Sequence, residues 1–201
     1  MGASSLLAAI LLAASPGFGA VTSSPLPQGS LSLWGMAGYP ELRAGFRQGF
    51  KDMELQAEAG FDFLTATTRA EGGAQLLLLQ GTQLKITGAA LGGVFLNAGA
   101  RLADDRNDHA AGLRLEVAAN LSYQTDWPVC WLAFARLPVD LKLTSSGGNR
   151  GAPMIGGGAE VAVSKEQYIL FVGGFGPDFR GNPSRTLLGV EAMVGFGYRV
   201  F

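Results

Sequence analysis

The sequence predicts an all-β protein, an up-and-down antiparallel transmembrane β-barrel of about ten strands, with eight as the alternative count. Three observations predict it. Apolar and polar residues alternate with a period of two in segment after segment, the mark of strands with two unlike faces. Hydrophobic residues make up 48% of the 201 and charged residues only 15%, with a mean hydropathy of +0.23, which is apolar for a surface that meets only water. Beyond the first few residues, however, no run approaches the roughly 18 apolar residues that a membrane-spanning helix needs, so a crossing would have to be made by strands.

The chain divides into three parts. Residues 1–19 read as an export signal, with Leu6 to Ala14 (LLAAILLAA) as its apolar core, Ser15, Pro16 and Gly17 breaking it, and cleavage ahead of Ala20. Residues 20–29 form a flexible lead, and residues 30–201 the barrel. Cys130 is the single cysteine, so no intramolecular disulfide can form and stability must come from strand closure.

Strands are expected near 30–37, 40–50, 52–63, 69–79, 83–100, 110–123, 129–143, 153–164, 167–175 and 186–201. The clearest is Met53 to Phe63, where Met53, Leu55, Ala57, Ala59, Phe61 and Phe63 share one face and Glu54, Gln56, Glu58, Gly60 and Asp62 the other. Its hairpin partner sets Leu42, Ala44 and Phe46 against Glu41, Arg43, Gly45 and Arg47, with Lys51-Asp52 as a tight turn. Downstream, Leu113, Leu115, Val117 and Ala119 oppose Arg114, Glu116 and Asn120, and Trp131, Ala133, Ala135 and Leu137 oppose Arg136 and Asp140. Long Gly-, Asn-, Asp- and Pro-containing connections are expected near 101–110, 145–152 and 176–185, alternating with short turns.

A soluble barrel with an apolar interior, or a sandwich with one wet face, would also alternate. The phase favours the membrane form: the faces carrying mixed charges also carry many glycines, which suits a narrow lumen, while the opposite faces run as Leu, Val, Phe and Trp, which suits lipid. Trp34, Trp127, Trp131, Tyr39 and Tyr123 fall near strand ends, where interfacial aromatics gather.

The last strand, Leu188 to Phe201 (LGVEAMVGFGYRVF), resembles the C-terminal targeting strand of bacterial outer-membrane β-barrels. Phe201 matches the terminal aromatic of that class, and Val190, Ala192, Val194, Phe196 and Tyr198 supply the apolar alternation. Phe201 is out of phase with Phe196 and Tyr198, and a terminal bulge would restore the phase. The resemblance implies outer-membrane lipid as the surroundings, the barrel assembly machinery as a transient partner, and Phe196, Tyr198 and Phe201 as the assembly signal.

Function follows more coarsely. Arg43, Arg47, Glu54, Glu58, Arg114, Glu116, Arg136, Asp140 and Glu191 are the candidate lumen residues; withdrawn from bulk water, they must pair. Paired, they close the barrel and make it a structural, loop-display or partner-binding protein. Alternatively the inward glycines Gly156, Gly158, Gly189, Gly195 and Gly197 clear one wall, and the same charges line a narrow channel for small polar solutes. A third reading is a hydrolase at the rim using the loop Asp104-Asp105-Arg106-Asn107-Asp108-His109, although acids and Asn are ordinary turn residues and His109 is the only histidine. No cofactor or metal is expected, because one His and one Cys cannot supply a zinc site and the loop lacks calcium-loop spacing. A net charge of -1 without Lys/Arg clusters excludes a nucleic-acid partner.

Overall fold

Strands with one apolar and one charged face can satisfy both only by curling until the charged faces meet each other, and the protein does so. In a computed structural model, described over residues 26–99, 109–144, 148–181 and 184–201, the elements are β1 (Leu31–Tyr39), β2 (Glu41–Gly49), β3 (Met53–Asp62), β4 (Thr67–Gln80), β5 (Leu84–Ala98), β6 (His109–Gln124), β7 (Val129–Lys142), β8 (Arg150–Gly151), β9 (Met154–Ala162), β10 (Gln167–Gly181) and β11 (Ser184–Val200). Successive strands pair antiparallel, with β8 and β9 both lying between β7 and β10, and β11 returns to β1 from Leu31↔Val200 to Tyr39↔Ala192. Closure leaves no free edge, so the wall strands find their ladder partners within the barrel.

The barrel has ten strands, because β8 and β9 are one strand in two pieces. Both keep a single register against β7 (Val139↔Gly151, Arg136↔Met154) and against β10 (Phe179↔Gly151, Phe175↔Ile155). The break falls at Ala152-Pro153. Ala152 donates to the carbonyl of Pro138 at 3.0 Å, but Pro138 has no N–H to return. On the other side the bond from Gly181 N to Asn149 O sets the phase of the β10 ladder. In that phase Pro153 and Pro177 face each other where two N–H groups should be exchanged.

Several expectations change. The loop expected at 176–185 is largely strand: β10 runs to Gly181 and β11 begins at Ser184. Gly176, Pro177 and Asp178 looked like turn residues, but a Cβ on Gly176 would lie 2.0 Å from the Pro153 carbonyl, and Asp178 is fully buried. The loop expected at 145–152 likewise gives up Arg150 and Gly151 to β8. That expected at 101–110 lies outside the described residues up to 108, and His109 opens β6 opposite Ala98. The run Leu76 to Leu79 hid its alternation because the β4–β5 register shifts between Leu77 and Leu79, and Leu76, Leu78 and Leu79 are all exposed. Residues 1–25, which include the expected export signal and most of the lead, also lie outside the described residues; Leu26 is buried and donates its N–H to Glu54 Oε2 at 3.0 Å.

The inside is not uniformly polar. Met36, Cys130, Leu132, Phe134, Leu170, Val172 and Met193 form an apolar cluster within the lumen. Along Val129–Phe134 and Tyr168–Val172 both faces are therefore apolar, and no alternation could be read. Of the inward glycines, Gly156, Gly195 and Gly197 face large side chains across the ladder. A Cβ on Gly156 would lie 2.2 Å from the Phe134 ring, one on Gly195 2.5 Å from the Met36 side chain, and one on Gly197 2.1 Å from the Tyr168 ring, each opposite its glycine on the neighbouring strand. Trp34 is turned inward in the same way, over Gly45, and so leaves the expected aromatic girdle. Trp127 and Trp131 are exposed, as are Tyr123 and Tyr198.

Gly156→Ala is expected to cost about 1–3 kcal/mol, because the added methyl meets both the Phe134 ring and the Gly173 carbonyl and neither wall can retreat. Urea unfolding of the detergent-folded protein, read by intrinsic fluorescence, checks the value.

Candidate functional site: the charged lumen

Inward positions recur at every second residue of each strand, so charges spaced by two on neighbouring strands stack into a layer. At the end of the barrel that carries the 99–109 connection, this produces a chain of ion pairs. Arg43 reaches Glu41 at 2.8 Å and Glu58 at 3.6 Å; Arg69 reaches Glu41 at 2.7 Å, Glu71 at 3.1 Å and Glu58 at 3.7 Å. Arg114 then links Glu71 at 2.9 Å, Asp140 at 2.7 Å and Glu116 at 3.4 Å. Arg150 carries the chain from Asp140 at 3.5 Å to Asp178 at 2.7 Å, where Arg180 ends it at 3.0 Å.

The cations in this chain are arginines. Each of Arg69, Arg114 and Arg150 sits between carboxylates from different strands, which the fixed fork of a guanidinium permits and a lysine ammonium would do less well. All but Arg180 and Arg150 are nearly or fully withdrawn from solvent. An isolated ion in such surroundings costs several kcal/mol, so the alternation of signs is a requirement of the location. Among the described residues, the space left between Glu41, Asp62, Arg69, Phe95, Arg114 and Asp140 is a cavity of about 20 Å³, room for a single water.

Three pairs stand apart from this layer. Arg136 on β7 crosses to Glu191 on β11, with Nη2 2.6 Å from both carboxylate oxygens and 3.2 Å from Met154 Sδ. Towards the chain termini, Arg47 holds Glu54 with two bonds of 2.5 and 2.7 Å, both side chains fully buried. Arg199 pairs with Glu160 and lies 4.4 Å over the Tyr168 ring. The apolar cluster around Phe134 lies on the β1, β7, β10 and β11 side of the lumen, and the buried Gln56, Gln75 and Asn120 come from β3, β4 and β6.

The nine residues singled out in the sequence thus point inward and fall into three groups. Arg43, Glu58, Arg114, Glu116 and Asp140 join the large chain, while Arg47–Glu54 and Arg136–Glu191 are separate. Sequence reasoning missed the roles of Arg69, Glu71, Arg150, Asp178 and Arg180. The first two precede the irregular leucine run, and the others sit among Gly, Asn and Pro that imitate loops; a two-residue spacing from Asp178 to Arg180 was the available signal. On β11, Phe196 and Tyr198 face outward, and the register continues without a shift to Val200, so Phe201 stays out of phase beyond the strand. His109 is exposed at the start of β6, and Asp104 to Asp108 lie outside the described residues.

Glu191→Leu alone is expected to destabilise by about 3–5 kcal/mol, since it strands the Arg136 charge, and adding Arg136→Met should recover most of that loss. Urea midpoints of the two single variants and the double variant check this.

No family model matches the chain, and no curated protein matches it. Among solved structures it is similar to a barrel described under "De novo design of transmembrane beta-barrels", at 12% identity and a TM-score of 0.41, over 88% of this chain and 99% of that one. It is similar to the KdgM porin at 11% identity and 0.39, over 86% and 99%. It is also similar to the outer membrane channel DcaP of Acinetobacter baumannii at 12% identity and 0.37, over 90% of this chain and 56% of that one.

Proposed function

We propose that the chain is an integral barrel of the bacterial outer membrane, non-enzymatic, with a lumen closed by ion pairs, and that it serves as a rigid wall for displaying loops or binding a partner. The observation that carries this reading is the charge distribution. Leu42, Phe46, Leu55, Val94, Leu115, Val117, Ile155, Phe175 and Leu188 are exposed on the outside, while the inward carboxylates and arginines are engaged with one another. Each large apolar side chain moved from water into hydrocarbon contributes roughly 1.5–3 kcal/mol, which makes a bilayer the natural surroundings of this surface.

The remaining parts belong to the same reading. Residues 1–19 direct export, residues 20–29 lead into the barrel, and Phe196, Tyr198 and Phe201 present the assembly signal to the barrel assembly machinery. Non-enzymatic action is supported by the engagement of the network's carboxylates, which leaves them poorly placed to activate water.

The first test is electrophoretic mobility in detergent with and without boiling, followed by planar-bilayer recording. A mobility shift lost on boiling and an electrically silent wild type are expected, with Arg114→Ala, which takes one partner from each of Glu71, Glu116 and Asp140, producing measurable leak. Steady openings from pure wild-type protein would replace the closed lumen with a narrow channel, and a monomer soluble without detergent would overturn the membrane reading.

A further inference from the structure

The ladder is weakest where Pro153 and Pro177 oppose each other, and the outer surface is indented over the same place. A furrow of about 980 Å³ crosses the wall there, floored by Ala119, Ala135, Pro153 and Pro177 and flanked by Leu137 and Phe175. Ala119 and Ala135 are direct neighbours across β6 and β7, and Pro153 pairs with neither strand through an N–H of its own. Small side chains and missing donors thus coincide. The wall behind the furrow is made by Arg136 and Met154, whose side chains turn inward and are buried, Arg136 against Glu191.

The furrow is an open groove, long enough to lie against an extended apolar chain and not a pocket that would enclose a compact ligand. Its lining is apolar and continuous with the exposed Val117, Ile155 and Leu188, so an occupant must be an apolar body that arrives from the side, within the plane of that belt. We propose that the furrow holds one acyl chain of a bilayer lipid, in the leaflet nearer the loop-bearing end. This rests on the membrane reading above. It adds that one chain is held at a fixed place over the two prolines, while the wall of Leu55, Leu76 and Val94 meets lipid non-selectively. The two prolines contribute by leaving no N–H exposed to hydrocarbon in a stretch of wall that lacks full ladder bonding.

The test uses the full folded barrel in phosphatidylcholine vesicles doped with a phosphatidylcholine that carries a diazirine midway along one acyl chain. Photolabelled residues are mapped by mass spectrometry. Labelling at Ala119, Ala135, Pro153 and Phe175 is expected to exceed that at the opposite apolar wall, Leu55, Leu76 and Val94, by about fivefold, a modest occupancy preference. Ala119→Leu and Ala135→Phe, each checked for the boiling-sensitive mobility shift, should remove the excess and leave Leu55, Leu76 and Val94 labelled as before. Even labelling of both walls overturns the site and keeps the membrane reading. Absence of label on either wall overturns the membrane reading itself. Cross-links between two copies through the furrow, in place of lipid, overturn the acyl-chain assignment.

Discussion

An arginine placed inside a narrow barrel and withdrawn from water has two options: meet a carboxylate or remain stranded at a cost of several kcal/mol. Much else in this barrel follows from that constraint. Charges of opposite sign alternate from Arg43 through Glu41, Arg69, Glu71, Arg114, Asp140 and Arg150 to Asp178, and the strands must hold a register that brings them together. A slip of one residue on any strand would turn its charges outward and its leucines inward. The ion pairs therefore specify register as much as they stabilise it.

The second constraint is volume. Ten strands enclose little space, and the side chains that fill it have to lie along the wall. Glycines opposite Trp34, Met36, Phe134 and Tyr168 make that possible, because a methyl group at Gly45, Gly195, Gly156 or Gly197 would collide with the facing side chain. Glycine here gives room to a neighbour, which is how a glycine-rich sequence carries large inward side chains.

The fold class was legible because β2, β3 and β6 have unlike faces, and the period of two states directly which side turns outward. Legibility failed wherever another requirement overrode the alternation. The bulge near Leu78 puts consecutive leucines outside, the cluster around Leu132 and Leu170 makes both faces apolar, and Asp178 follows Pro177 and Gly176, the glycine lying tight against the Pro153 carbonyl. Of the lumen, the charges on strongly alternating strands could be assigned from sequence, whereas Arg150 and Asp178 could not. Which pairs meet across the tube, such as Arg136 with Glu191, depends on closure and has no local signature.

The β1–β11 seam joins the two ends of the chain, whereas the other interfaces join strands that follow one another. Neighbouring hairpins can form through short-range contacts, but this seam must wait until the whole chain has been delivered. Until it forms, Glu191 and Arg136 lie on a sheet that is still open, where water can solvate them. Closure expels that water and commits the charges to each other in one step. A chain cut short before β11 would thus lack more than one strand: its inner face would stay wet, its two lateral edges would be free to recruit other chains, and the compact interior would have no way to assemble.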